Sequence, residues 1–101
     1  MHEQMDPNAA LDSIQQAYNQ AAAALQNSSD LETAYQVATR LADNMRELAD
    51  AAALIRAKSA QRIWESEQLS LSGLAAKIGV SKARADQLIK AARNSDQNDA
   101  A

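Results

Sequence analysis

Residues 69–92 read LSLSGLAAKIGVSKARADQLIKAA, and the spacing within this stretch decides how the chain folds. Leu74 and Ile78 are one helical step apart, so they share the buried stripe of a short helix. Ala75 sits beside Leu74, where a small side chain lets a second helix cross closely. Gly79 follows at once, where a helix that ends in a left-handed residue requires glycine. Val80 plugs the turn, and Ser81 is an N-cap for a second helix whose inward face is Ala85, Leu88 and Ala92. The spacing predicts one helix over 71–78 and another over 82–93.

Short helix, glycine turn and capped second helix resemble the bacterial helix-turn-helix family. The likeness is nearest to the promoter-reading domain at the C-terminal end of sigma factors. There a threonine or serine cap is followed by basic residues, then by an arginine and a glutamine on the recognition helix. The matching run here is Val80, Ser81, Lys82, Ala83, Arg84, Ala85, Asp86, Gln87 and Leu88. Asp86 stands where that family usually carries a basic or neutral residue. Gly73 stands where a glutamate would complete a capping box with Ser70. The likeness covers about a quarter of the chain.

The resemblance implies that the second helix enters the major groove of DNA and presents its N-terminal half to base edges. Ser81, Lys82, Ala83, Asp86, Gln87 and Lys90 would then project outward. Gln87 is suited to a base such as adenine, and Arg84 or Lys82 to guanine or a phosphate. Lys77, Lys90 and Arg93 are phosphate contacts on this reading, setting register and affinity. Asp86 would accept from cytosine N4, orient Arg84, or simply pair with Lys90 one turn on.

An ordinary helical hairpin that touches no nucleic acid would use the same residues, and charge argues against it. Residues 58–93 hold seven Lys or Arg against three acids, a net of +4, whereas residues 1–57 carry −5. The last eight residues add −2, giving the −3 of the whole chain. An acidic chain that is basic around one motif has localised its attraction for phosphate.

Outward from the motif, the chain reads as all-α. It has two glycines, one proline and no strand-like alternation. Asp6 caps a helix with Pro7 at its first position, and Leu11, Ile14, Tyr18, Ala21 and Leu25 form its stripe. Residues 27–30 break that helix, and Ser29-Asp30-Leu31-Glu32 has the form of a capping box for the next. From Leu31 to about Glu67 no glycine or proline intervenes. Ala34, Ala38, Leu41, Met45, Leu48, Ala52 and Ile55 keep three-four spacing, as a coiled coil does. The seam then shifts onto Ile63 and Trp64, with a possible break over Lys58–Ala60 and Trp64 wedged under the motif.

This divides the chain into a helical hairpin and coiled-coil oligomerisation region over 1–57, a helix-turn-helix region over 58–93 and a disordered tail over 94–101. Twenty-four residues are alanine and none is phenylalanine, so burial stabilises each residue little. That composition favours a homodimer, with Leu41, Met45, Leu48, Ala52 and Ile55 as its interface.

The absence of cysteine excludes disulfides and thiolate metal sites. No apolar run of membrane-spanning length and no secretory signal is present, which points to a cytoplasmic, nucleoid-associated protein. His2 is the sole histidine and falls at a frayed end, so no Ser-His-Asp arrangement can form. An enzyme is not expected, nor a metal, cofactor or small-molecule ligand. The leading expectation is a dimeric, sequence-specific DNA-binding regulator. Two alternatives remain at this point: a coiled-coil protein-interaction adaptor, and a sequence-blind architectural DNA binder.

Overall fold

The computed structural model describes residues 6–99, with side chains to residue 97. Met1–Met5, expected to fray, and His2 among them lie outside the described residues. Within them the chain is all-α, with four helices: α1 (Pro7–Gln26), α2 (Leu31–Ser66), α3 (Leu71–Ile78) and α4 (Lys82–Asp99). The chain falls into two compact units, Met1–Asn44 and Met45–Ala101, and α2 contributes to both.

In the first unit, the Asp6 carboxylate accepts the Asn8 N–H at 3.1 Å and Pro7 opens α1, as the sequence indicates. The helix stops at Asn27, whose N–H still reaches the Ala23 carbonyl at 3.1 Å. The cap of α2 is Asp30, one residue later than the Ser29 capping box expected. One Asp30 oxygen accepts the Thr33 N–H at 3.1 Å and the other the Thr33 hydroxyl at 2.7 Å. A carboxylate offers two acceptors where serine offers one hydroxyl, and its charge suits a helix N-terminus. No side chain of α1 is fully buried. Its Ala21, Ala24 and Leu25 line a cleft together with Val37 and Leu41 of α2.

The second unit is built on the C-terminal part of α2. This helix is unbroken through Lys58–Ala60, although its apolar seam shifts there. Ala57 and Ala60 are buried against Leu88 and Ala92 of α4, within the unit that begins at Met45. A second cluster joins Leu74 and Ala75 of α3 to Ala85 and Ile89 of α4, with Ile63, Trp64, Leu69, Leu71 and Val80 around it. Ile78, the last residue of α3, packs against both clusters and joins them.

The expected inward face of α4 (Ala85, Leu88, Ala92) is buried as read from the sequence, and Ile89 belongs to it as well. Leu74 and Ile89 are the largest fully buried side chains; the remainder of the core is mostly alanine. Small side chains at these crossings let backbones approach closely, at the expense of apolar area buried per residue.

Two reversals bound α3. Gln68 ends α2 in a left-handed conformation (φ 53°). Its N–H donates to Glu65 O at 3.3 Å, while Leu69 N–H donates to Trp64 O at 3.1 Å. That pairing is the Schellman arrangement, here formed without glycine. At the far end Gly79 is left-handed (φ 75°), as expected. Gly79 and Val80 both donate to the Ala75 carbonyl, at 2.9 and 3.0 Å. Helix α4 then runs past Arg93, where the sequence pattern fades, to Asp99. Residues 94–99 were expected to lack structure; they are helical, with Asp96 3.3 Å from the Lys58 ammonium on α2. A polar segment free of glycine and proline has no reason to stop when a partner helix offers it an ion pair.

Candidate nucleic-acid interface

Helix α4 is held at its start by Ser81, whose Oγ accepts the Arg84 N–H at 3.0 Å. Helix α3 is held likewise by Ser70 on the Gly73 N–H, at 3.0 Å. Gly73 supplies no side chain to complete a capping box, and a Cβ there would lie 3.3 Å from Ser70 Oγ. The cap forms without it.

With Ala85, Leu88, Ile89 and Ala92 buried, a turn of about 100° per residue puts Ala83, Gln87, Lys90 and Asn94 on the opposite side of α4. All four are exposed. They form a ridge that the second unit does not use to hold itself together. Ser81 and Lys82 are exposed at its N-terminal end. Asn94 was not singled out from the sequence, because the helix was expected to end one residue earlier; its spacing from Lys90 was the available signal.

The remaining candidates are placed less simply. Asp86 is half-buried on the flank of the ridge, and its carboxylate lies 2.9 Å from Lys90 Nζ. Asp86 thus pairs with Lys90 one turn on. Arg84 lies on the other flank, half-buried, and lines a groove with Arg56, Ile63, Ile78, Val80 and Leu88. It therefore does not share the outward direction of Gln87. Lys77 reaches back to Glu67 at 2.8 Å, where its charge also suits the C-terminal end of α3. Arg93 lies over the Trp64 ring, 5.1 Å from its centroid. Lys82 has no ion-pair partner among the described residues.

Compared with known protein families, curated proteins and solved structures, the chain matches none.

Among the described residues no group of three or more His, Cys, Asp or Glu could hold a metal ion. No described helix is long and apolar enough to cross a membrane. What the second unit offers is an 18-residue helix packed on one face, with an exposed polar ridge on the other. Its amide and ammonium groups suit base edges and phosphates, and a small residue, Ala83, lets a surface approach the helix closely.

The apolar stripes of the N-terminal half present a different surface. Leu11 and Ile14 on α1 are 62% and 56% exposed, and Leu48 and Ile55 on α2 are 56% and 67% exposed. Ala52 is exposed as well, while Leu41 and Met45 are half-buried.

Proposed function

We propose that the chain is a small DNA-binding regulator of the cytoplasm that acts as a homodimer, with α4 as the helix that reads the major groove. The observation that carries this reading is the exposed ridge Ala83–Gln87–Lys90–Asn94, opposite a fully packed face and set on two capped helices and a glycine turn. A helix held this firmly on one side, and polar on the other, suits a partner that is itself rigid and polar. The net +4 of residues 58–93 supports a polyanion as that partner. The resemblance of residues 80–88 to helix-turn-helix proteins points the same way. On this reading Gln87 contacts bases, Lys82 and Lys90 contact bases or phosphates, and Lys77 and Arg93 flank the phosphate backbone. The protein binds and does not catalyse.

The homodimer rests on the apolar stripe Leu41–Met45–Leu48–Ala52–Ile55 along α2. Exposed Leu48 and Ile55, with Ala52 between them and half-buried Leu41 and Met45 alongside at coiled-coil spacing, suit a second copy of the same helix. Two reading heads roughly 34 Å apart would engage successive major grooves. The same exposed stripes favour the adaptor reading, in which the N-terminal half holds a different protein and α4 contacts no DNA.

A gel shift with fragmented genomic DNA across a salt series separates these readings. A regulator gives salt-dependent binding with a minority of fragments strongly preferred. Binding of all fragments within a few-fold of one another indicates an architectural protein. No binding at low salt rejects both and leaves the adaptor.

A further inference from the structure

We infer that Glu67 and Asp86 restrain binding to random DNA by holding Lys77 and Lys90 in ion pairs, so that the candidate interface favours specific over non-specific sites. The inference rests on the DNA-binding reading and gives it a mechanism of discrimination. Besides the half-buried Arg84, the candidate cations are Lys77 on α3 and Lys82, Lys90 and Arg93 on α4. Three of them are already engaged. Lys77 Nζ lies 2.8 Å from Glu67 Oε1, Lys90 Nζ lies 2.9 Å from Asp86 Oδ2, and Arg93 covers Trp64 at 5.1 Å.

Ion pairs as exposed as these contribute little to folding. Their effect falls on whatever approaches from outside. An ammonium paired with a carboxylate presents almost no net charge to an arriving phosphate, and the carboxylate repels that phosphate directly. Binding to random DNA rests on its phosphates, so it gains little from either lysine. A specific site offers something more. The Asp86 carboxylate has lone pairs left after pairing with Lys90, and cytosine N4 is an exocyclic amine donor in the major groove. Where such a donor meets Asp86, the acid is satisfied by the base and Lys90 is released to a neighbouring acceptor. The acid thus penalises every site except those that supply a donor at that position. An acidic residue on a helix meant for DNA is otherwise a liability.

The test uses the full chain with four variants: Glu67→Gln, Asp86→Asn, the two combined, and Glu65→Gln. Glu65 is exposed in the same unit and makes no ion pair with a described residue, so its variant changes the net charge equally without freeing a lysine. Binding to a random-sequence duplex is followed by fluorescence anisotropy between about 50 and 200 mM salt, the range over which phosphate contacts register. Glu67→Gln and Asp86→Asn should each tighten binding several-fold. Each should also steepen the dependence of log affinity on log salt by about 0.9, one phosphate contact. The double variant should show both gains, and Glu65→Gln should leave the slope unchanged. Equal effects in all variants, or none in the paired positions while the wild type binds, overturn the inference alone. If neither the wild type nor any variant binds DNA at the lowest salt, the DNA-binding reading falls and the inference falls with it.

Discussion

The guanidinium of Arg93 lies over the indole of Trp64, 5.1 Å from the ring centroid, and ties the C-terminal half of α4 to the end of α2. Beneath it the Trp64 Nε1–H is buried with no acceptor. The tryptophan is therefore held by packing and by the cation above it, and its polar atom works against its burial. Replacing Arg93 with Ala should cost about 0.5–1 kcal/mol. Trp64→Phe should cost less than Trp64→Ala, for which about 3 kcal/mol is expected, because Phe keeps much of the packing and removes the unpaired N–H. Urea denaturation of the three variants measures this. Equal losses for Phe and Ala would show that the indole nitrogen matters after all.

The two left-handed residues make opposite predictions. Gly79 has φ 75° and no atom within 4 Å of where a Cβ would stand, so substitution there is penalised by the backbone alone. Gly79→Val should destabilise the second unit by about 1–2 kcal/mol. Gln68 has φ 53° with a full side chain, and Gln68→Gly should stabilise by roughly 0.5–1 kcal/mol. Thermal melts of both proteins decide the matter, and a fall in Tm for Gln68→Gly would contradict the account of how α2 ends.

Gln87 lies on the exposed ridge and Arg84 on its half-buried flank, so their substitutions should differ. Gln87→Ala should weaken a selected operator by roughly 1–3 kcal/mol and leave random DNA nearly unchanged. Arg84→Ala should act less selectively, since its side chain lines the groove beside Arg56. Ala83→Trp should block close approach and abolish operator binding without a loss of fold. Competition assays with both DNAs would expose an error if Gln87→Ala weakened them alike.

Met45 and Leu48 sit near the middle of the stripe assigned to the second copy. Met45→Glu combined with Leu48→Glu would bury unpaired charge in a dimer, so it should dissociate one and sharply weaken binding to a two-half-site operator. Sedimentation equilibrium of the wild type should give twice the 10.8 kDa chain mass. A single-chain mass at micromolar concentration would remove the dimer from the proposal.

The cap of α2 makes a prediction about pH. The Thr33 hydroxyl, followed by the Thr33 N–H, holds the Asp30 carboxyl below its ordinary value of 3.8. A carboxyl lowered by folding contributes its full stabilisation above the ordinary value and loses it as pH falls through the lowered one. The cap at the start of α2 should therefore keep its full contribution above pH 3.8 and lose it progressively below. An NMR titration of Asp30 should find its midpoint below that value, and Thr33→Val should move it back upward. An unmoved midpoint in the variant would mean that the hydroxyl is not the cause.

Much of this molecule follows from local rules acting on neighbouring residues. Asp6-Pro7, Ser70, Gly79 and Ser81 act within one turn of their own backbone, so their roles are legible without knowledge of the fold. The inward face of α4 is legible for a similar reason, because helical period alone aligns Ala85, Leu88 and Ala92. Other features depend on what lies across space. The Asp30 cap is not one of these: its two oxygens meet both donors of Thr33 one turn on, a contact as local as those of Ser70 and Ser81. Gln68 takes a glycine's conformation because Leu69 and Trp64 on either side of it are packed around Leu74 and Ile89. Residues 94–99 have no apolar period to announce a helix, yet Lys58 faces Asp96 from another element and α4 continues. Which lysines of the candidate interface are engaged also belongs to this second kind. Lys90 and Asp86 are one turn apart and were readable as a pair, whereas Glu67 and Lys77 are ten residues apart and meet only because α2 ends and α3 folds back. Period and capping act along the chain and are written in it; ion pairs between elements are written only in the packing that brings those elements together.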